Sequence, residues 1–401
     1  MRIEMDYGQA RLELEVPGER RATHCRAPKP LPDPAAAVRA ALQDPYQYPA
    51  LRRALTEDDH VTVVVDERLP EVARLLTPVL EDLSAAGVNA AHITLLCESS
   101  AAAQPWLLDL PEAFEEVRLE IHDPRDRKKL SYLATTRQGR RLYLNRTAVD
   151  AEQLIVLAGC RYDPQVGRGG VVGALFPALS DEATRAELNG RLNRDGPDAP
   201  EEIAAQAEAT ETAWLMGAPF FIQVIEAAGD GVAHIVAGTA AAAVEGRRLL
   251  DASWRWVVPA LADVVVASVS GDPARQTFAD LAAAAACAAQ AVQPDGRIIL
   301  LSQVRSDPAA LPEALLQADD ASSAFDRLRR RPTLEQIAAL RWAGAASRAR
   351  ISLLSGMEDQ TVEDLFATPL RDGSQVQRLL DAGGTCLFLE DAHNALVAVQ
   401  E

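Results

Sequence analysis

The sequence predicts an α/β protein of two three-layer αβα domains, each built on a mainly parallel sheet, with a cleft between them. Three observations carry this. Short runs of Val, Ile and Leu without polar alternation recur along the chain, as strands covered on both faces require. The segments between them place apolar residues at helical spacing and end on glycine or proline. Finally, 401 residues exceed one ordinary domain, and a hydrophobic content of 48% supplies material for two cores.

Taken in order, the first segment, "MRIEMDYGQARLELEVPG", is charged and alternating, unlike a signal peptide. Strands are predicted at 61–66 (VTVVVD), 92–97 (HITLLC), 117–122 (VRLEIH) and 153–159 (QLIVLAG). Others follow at 220–226, 232–238, 263–270, 297–303, 350–356 and 385–390. Helices are predicted over 70–87, where apolar residues at helical spacing stop at a glycine, and over the Ala-rich stretch 273–296. Residues 189–203 form the most polar, Pro/Gly-marked interior stretch, while a second break falls near 240–256. The second break is preferred, because strands 220–238 then complete the first sheet. The domains expected are 1–250 and 251–401, with the ligand site in the cleft between them.

A formal charge of −18 argues against nucleic acid or an anionic membrane as the main partner. No apolar run is long enough to span a bilayer, so a cytoplasmic protein is expected. The five cysteines (25, 97, 160, 287, 386) form no CxxC pair, and Cys97, Cys160 and Cys386 sit in or beside strand-like runs as small buried thiols do. Ser99, Ser100 and Cys97 lack a nucleophile-elbow pattern and an evident histidine partner.

The chemistry-bearing stretch is "GRGGVVGALFP" (167–177), a glycine-rich turn after a predicted strand. Its amides can hold an anion without any side chain, and Arg161 and Arg168 flank it. The competing structural reading is that Gly169 and Gly170 merely allow close packing. His122, ending a strand, and Asp66, at another strand end, are candidate acid/base groups, against the plainer readings of a turn histidine and a helix-capping aspartate. His234, inside an apolar strand, reads as a core residue. The six histidines show no i, i+4 or HxH pairing, so no metal site is predicted.

The order of these segments resembles the nickel-dependent lactate racemase family. The likeness runs through "DPYQYPALRRAL" (44–55), "VTVVVDERLP" (61–70), "RQGRRLYLNRTAVDAEQLIVLAG" (137–159), the glycine turn with its downstream segment (167–189), and "VSGDP" (269–273) with the Ala-rich helix and "PDGRIILLS". The resemblance implies two α/β domains around a nickel-pincer nucleotide and isomerisation of a small 2-hydroxy acid. It also implies a substrate-binding arginine near Arg68. The family's cofactor-tethering lysine matches Gly173, and no lysine occurs from 130 to 401. Its nickel-ligating histidine matches Asn189, its catalytic histidine falls near Asp163, and the second domain's lysine falls near Ala282. The Gly-x-His turn is replaced by "CESSAAA" (97–103). The expectation is therefore a lactate-racemase-like protein with no bound nickel-pincer nucleotide. A catalytically inactive relative is the alternative, binding a small anion or a partner protein in the cleft. The anion site expected comprises Arg68, Arg161, Arg168, Gly169 and Gly170, with Asp66, His122 and Asp163 as candidate acid/base groups. The oligomeric state is left open.

Overall fold

The computed structural model describes residues 1–17, 21–98, 105–162, 171–189, 200–305, 311–330 and 333–400. Its strands are β1 (Arg2–Tyr7), β2 (Ala10–Glu15), β3 (Ala22–Cys25), β4 (Val61–Val65), β5 (Ile93–Cys97) and β6 (Arg118–Ile121). They continue as β7 (Leu130–Thr135), β8 (Arg141–Asn145), β9 (Gln153–Gly159), β10 (Phe220–Glu226), β11 (Val232–Gly238) and β12 (Arg255–Val258). The last are β13 (Ala262–Ser268), β14 (Val292–Leu301), β15 (Arg350–Leu354), β16 (Ala367–Leu370), β17 (Cys386–Leu389) and β18 (Leu396–Val399).

The chain forms two units. A central unit comprises Pro30–Glu226 and Gly231–Asp251; a terminal unit comprises Met1–Lys29, Ala227–Asp230 and Ala252–Glu401. The division of the chain at 250 thus needs correction at its start, because Met1–Lys29 belongs with the later residues. The reason is pairing and packing. Strand β3 runs parallel beside β17, with Ala22 opposite Cys386, and the β1–β2 hairpin buries Ile3, Met5 and Leu14 against the same sheet.

The central sheet has the order β11-β10-β9-β4-β5-β6, parallel except for the β10–β11 pair. Alternate strand residues feed two cores, which is why these strands are apolar throughout. Val63, Leu95, Ile155 and Ile222 meet Val38 of helix Pro34–Gln43 and Leu75, Leu76 and Val79 of helix Val72–Ala85. On the other face Val64, Leu96, Val156 and Phe221 meet Leu142 and Leu144 of the β7–β8 hairpin, Phe176, and Ala209 of helix Pro200–Leu215. Helix Pro34–Gln43 begins where Asp33 accepts a bond from the Ala36 amide and Pro34 takes a position that needs no donor.

The terminal sheet is parallel throughout, in the order β16-β15-β14-β13-β17-β3. Val265, Ala267, Ile298 and Leu300 pack on the Ala-rich helix Phe278–Ala291 and on Trp342. This helix starts four or five residues later than the sequence suggests, because Thr277 and Asp280 form a reciprocal capping box. The opposite face is covered by the β1–β2 hairpin and by Val376 and Leu380 of helix Gly373–Asp381. Two short pairs, β7–β8 and β12–β18, complete the strands.

Candidate functional site

In an open parallel sheet a ligand is expected at the carboxyl ends of the strands where the winding order reverses. In the central sheet that point lies between β4 and β9, since β5 and β6 follow on one side of β4 and β9 and β10 on the other. Asp66 directly follows β4 and Arg161 closely follows β9, so the sequence delivers opposite charges to this crevice.

Asp66 is nearly buried, with a side chain 7% exposed. Its carboxylate pairs with Arg161, accepts from Arg68 Nε at 3.1 Å, and accepts the Gly159 and Arg68 amides at 3.2 and 3.0 Å. Burial by itself would raise its pKa. The Arg161 and Arg68 guanidinium groups outweigh burial and hold the carboxyl well below its ordinary range. Arg161 also donates through Nε to Glu226, the last residue of β10, at 2.5 Å. Burial works against this cation, yet its two carboxylate partners raise its pKa on balance. Gly159 makes room for the arrangement, because a Cβ there would overlap the folded-back guanidinium of Arg161. Arg68 is the exposed member, with 73% of its side chain in solvent.

The structure therefore brings together Asp66, Arg68 and Arg161 from the expected set and adds Glu226. The aspartate neither caps a helix nor stands ready as a general base. The helix after it begins at Val72 with Glu71 before it, and the Asp66 carboxylate is committed to cations. Residues Asp163, Arg168, Gly169 and Gly170 lie outside the described residues, as do Ser99 and Ser100. The glycine turn is seen only from Val171, where Val171–Ala174 forms a short helical turn with Val171 and Val172 buried.

His122 follows β6, with β5 lying between β6 and β4. The ring is 3% exposed; its Nε2 donates to the Ser180 carbonyl at 3.1 Å, which leaves Nδ1 as a lone pair without a donor among the described residues. Burial lowers its pKa, so the neutral ring is favoured. At the end of β5, Cys97 is fully buried and burial pushes its thiol up to about 12, and the same holds for Cys160 after β9. His234 is half-buried on the edge strand β11 and lines an open cavity of about 800 Å³ with Ala37, Ala41 and Tyr46, so it is not a core residue. His60 and His92, far apart in sequence, stack at 4.5 Å where β4 and β5 begin. Their pairing was invisible along the chain, because only the parallel register of the two strands brings them together.

The terminal sheet reverses between β13 and β17, and there too stands a buried acid. Asp391 accepts from the Ser270 amide at 2.6 Å, the Ser270 hydroxyl at 2.7 Å and the Gly229 amide at 3.0 Å. It occupies left-handed backbone, φ 47°. No residue of this cluster was singled out from the sequence, because nothing in "LEDAH" distinguishes a buried aspartate from a solvated one.

Two sheets of this kind, each with a carboxylate at its reversal point, define an α/β protein built on two open, mainly parallel sheets. Residues 7–188, a little under half of the chain, match the lactate racemase N-terminal domain model. Among solved structures, the lactate racemase apoprotein from Thermoanaerobacterium thermosaccharolyticum is similar over 100% of both chains, at 16% identity and a TM-score of 0.78. A Thermotoga maritima protein is similar over 92% of this chain and 99% of its own, at 11% identity and a TM-score of 0.65. At such identities the likeness is one of fold. No curated protein matches the chain by sequence. No helix among the described residues is long and apolar enough to cross a membrane.

Proposed function

We propose that this lactate-racemase-like protein binds a small carboxylate or phosphate, a 2-hydroxy acid first of all, at the carboxyl edge of the central sheet, without nickel-pincer chemistry. The observation that carries the reading is the set Asp66, Arg68, Arg161 and Glu226 at the reversal point. Its two cations and two carboxylates balance, so the site is poised rather than strongly positive. A ligand anion would be met first by Arg68, the member facing solvent, while Arg161 is fixed in place by the carboxylates on either side of it.

The residues present do not fit the family's metal cofactor. Among the described residues no three His, Cys, Asp or Glu side chains converge as metal ligands. The chain has no lysine beyond Lys129 to tether a nucleotide at the glycine turn. Inverting a carbon beside a carboxylate needs two bases on opposite faces. Asp66 is held ionised by cations and His122 is enclosed beyond β5, so neither supplies that pair. The reading of a binding protein is supported on these grounds over that of a racemase.

Calorimetric titration of lactate and of inorganic phosphate tests this. Arg68→Ala is expected to weaken binding about tenfold, since a charge-assisted hydrogen bond contributes roughly 1.5–3 kcal/mol. Equal affinities in wild type and variant would remove the site. One nickel per chain by metal analysis, or lactate racemisation by the purified protein, would overturn the absence of nickel chemistry.

A further inference from the structure

A second feature stands apart from this crevice, on the hairpin that covers one face of the central sheet. The chain is strongly acidic, yet residues 125–146 hold eight Lys and Arg against one acid, Asp126, and include two of the three lysines. Some of these cations are used internally. Arg125 pairs with Glu182, Arg137 lies 4.0 Å from Glu211, and Arg140 bridges Glu187 and Glu208. Arg127, Lys128, Lys129 and Arg141 are exposed, and none makes an ion pair with a described residue.

The same hairpin presents aromatic surface. Its inward residues Leu142 and Leu144 join the core, which by strand alternation turns Arg141 and Tyr143 outward. Tyr143 stands directly opposite Tyr132 in the register, their rings 5.7 Å apart, and they are 39% and 54% exposed. Tyrosine and arginine are the side chains that dominate protein interfaces, because they offer large contact area with a polar end. Here they lie beside Lys128 and Lys129, in the turn that leads into β7.

We propose that the outer face of the β7–β8 hairpin docks an acidic segment of a partner protein, with the tyrosine pair receiving its apolar side chains and Arg127, Lys128, Lys129 and Arg141 its carboxylates. Charge complementarity chooses the occupant. The patch is the length of one strand, about 20 Å for six residues at the usual rise. A short acidic segment stays within it, whereas a longer nucleic acid runs on to a surface of its own sign, since the whole chain carries −18.

The test uses the full chain and a fluorescein-labelled peptide of about twelve residues, Glu/Asp-rich with a Phe or Leu at every third position, read by anisotropy. Binding is expected to weaken about tenfold between 50 and 300 mM salt, as screening predicts for surface charges. The triple variant K128E/K129E/R141E should weaken it at least tenfold and Y132A/Y143A several-fold, while K128R/K129R retains it. Lactate affinity, read in parallel, should not move in any of these variants, which separates this surface from the crevice. An equal affinity in wild type and K128E/K129E/R141E overturns the proposal. So does tighter binding of a twelve-nucleotide oligouridine than of the peptide, or self-association of the chain that the same variants abolish while the peptide does not bind.

Discussion

At the reversal point of the central sheet, Asp66 is held by guanidinium groups on long side chains. At that of the terminal sheet, Asp391 is held by amides and by one short hydroxyl. Both acids are nearly buried and both tie neighbouring loops to strand ends. The difference lies in what a ligand could exploit. Charges on Arg68 and Arg161 can be shared with an arriving anion, and Arg68 already reaches solvent. The donors around Asp391 are neutral, point inward and end there. The same topology thus gives a charge cluster that reaches solvent in one sheet and a structural knot in the other.

The largest effect that would test this contrast is the loss of Asp66. Asp66→Ala leaves Arg161 enclosed with one carboxylate and is expected to destabilise the central unit by about 3–5 kcal/mol, measured by denaturant unfolding. Asp391→Ala strands two amides and should cost about 2–3 kcal/mol, seen as faster hydrogen exchange at Gly229 and Ser270. If the order of the two is reversed, the knot is the stronger tie and the crevice the weaker. Gly159→Ala should displace the Arg161 guanidinium and cost lactate affinity with only about 1 kcal/mol of stability. Arg68→Ala, at an exposed pair, should change stability by less than about 0.5 kcal/mol while it weakens the ligand, a split that calorimetry and unfolding resolve together.

Acid sharpens the comparison further. A carboxyl whose folded pKa is depressed contributes stability that is present above its unfolded value and lost as pH falls below it. The contribution of Asp66 to the central unit is therefore complete above pH 3.8, the ordinary value of an aspartate, and is lost progressively below it. His122 acts earlier. The folded state prefers the neutral ring, so its contribution is complete above pH 6.5 and declines as the unfolded chain takes up protons below that value. His122→Gln should flatten the melting temperature between pH 7 and 5 and leave the steeper loss below pH 4 in place.

Much of the fold was legible because parallel strands covered on both faces must be apolar end to end. QLIVLAG, FFIQVIE and VAHIVAG were bounded to the residue on that signal alone. Strand β3, "ATHC", and β12, "RWVV", escaped it, since short edge and satellite strands carry too few apolar residues to stand out. For the site, Asp66 was found as a charge at a strand end, Arg161 as a charge flanking the glycine turn, and Arg68 through the family resemblance. Glu226 was missed, although it also ends a strand, because no motif marks a residue whose role is to hold another. His60 and His92 were read as solitary for a similar reason, their meeting being a matter of register.

The pairing of β3 with β17 has a consequence in time as well as in space. Residues 22–25 leave the ribosome before the whole central unit is made, and long before residues 386–389. The central unit between them has all of its strands well before that point. Long-range pairings are slow to form and expose strand edges while they wait. Strand β3 must therefore wait unpaired while the central unit is made, until β17 emerges and returns to it.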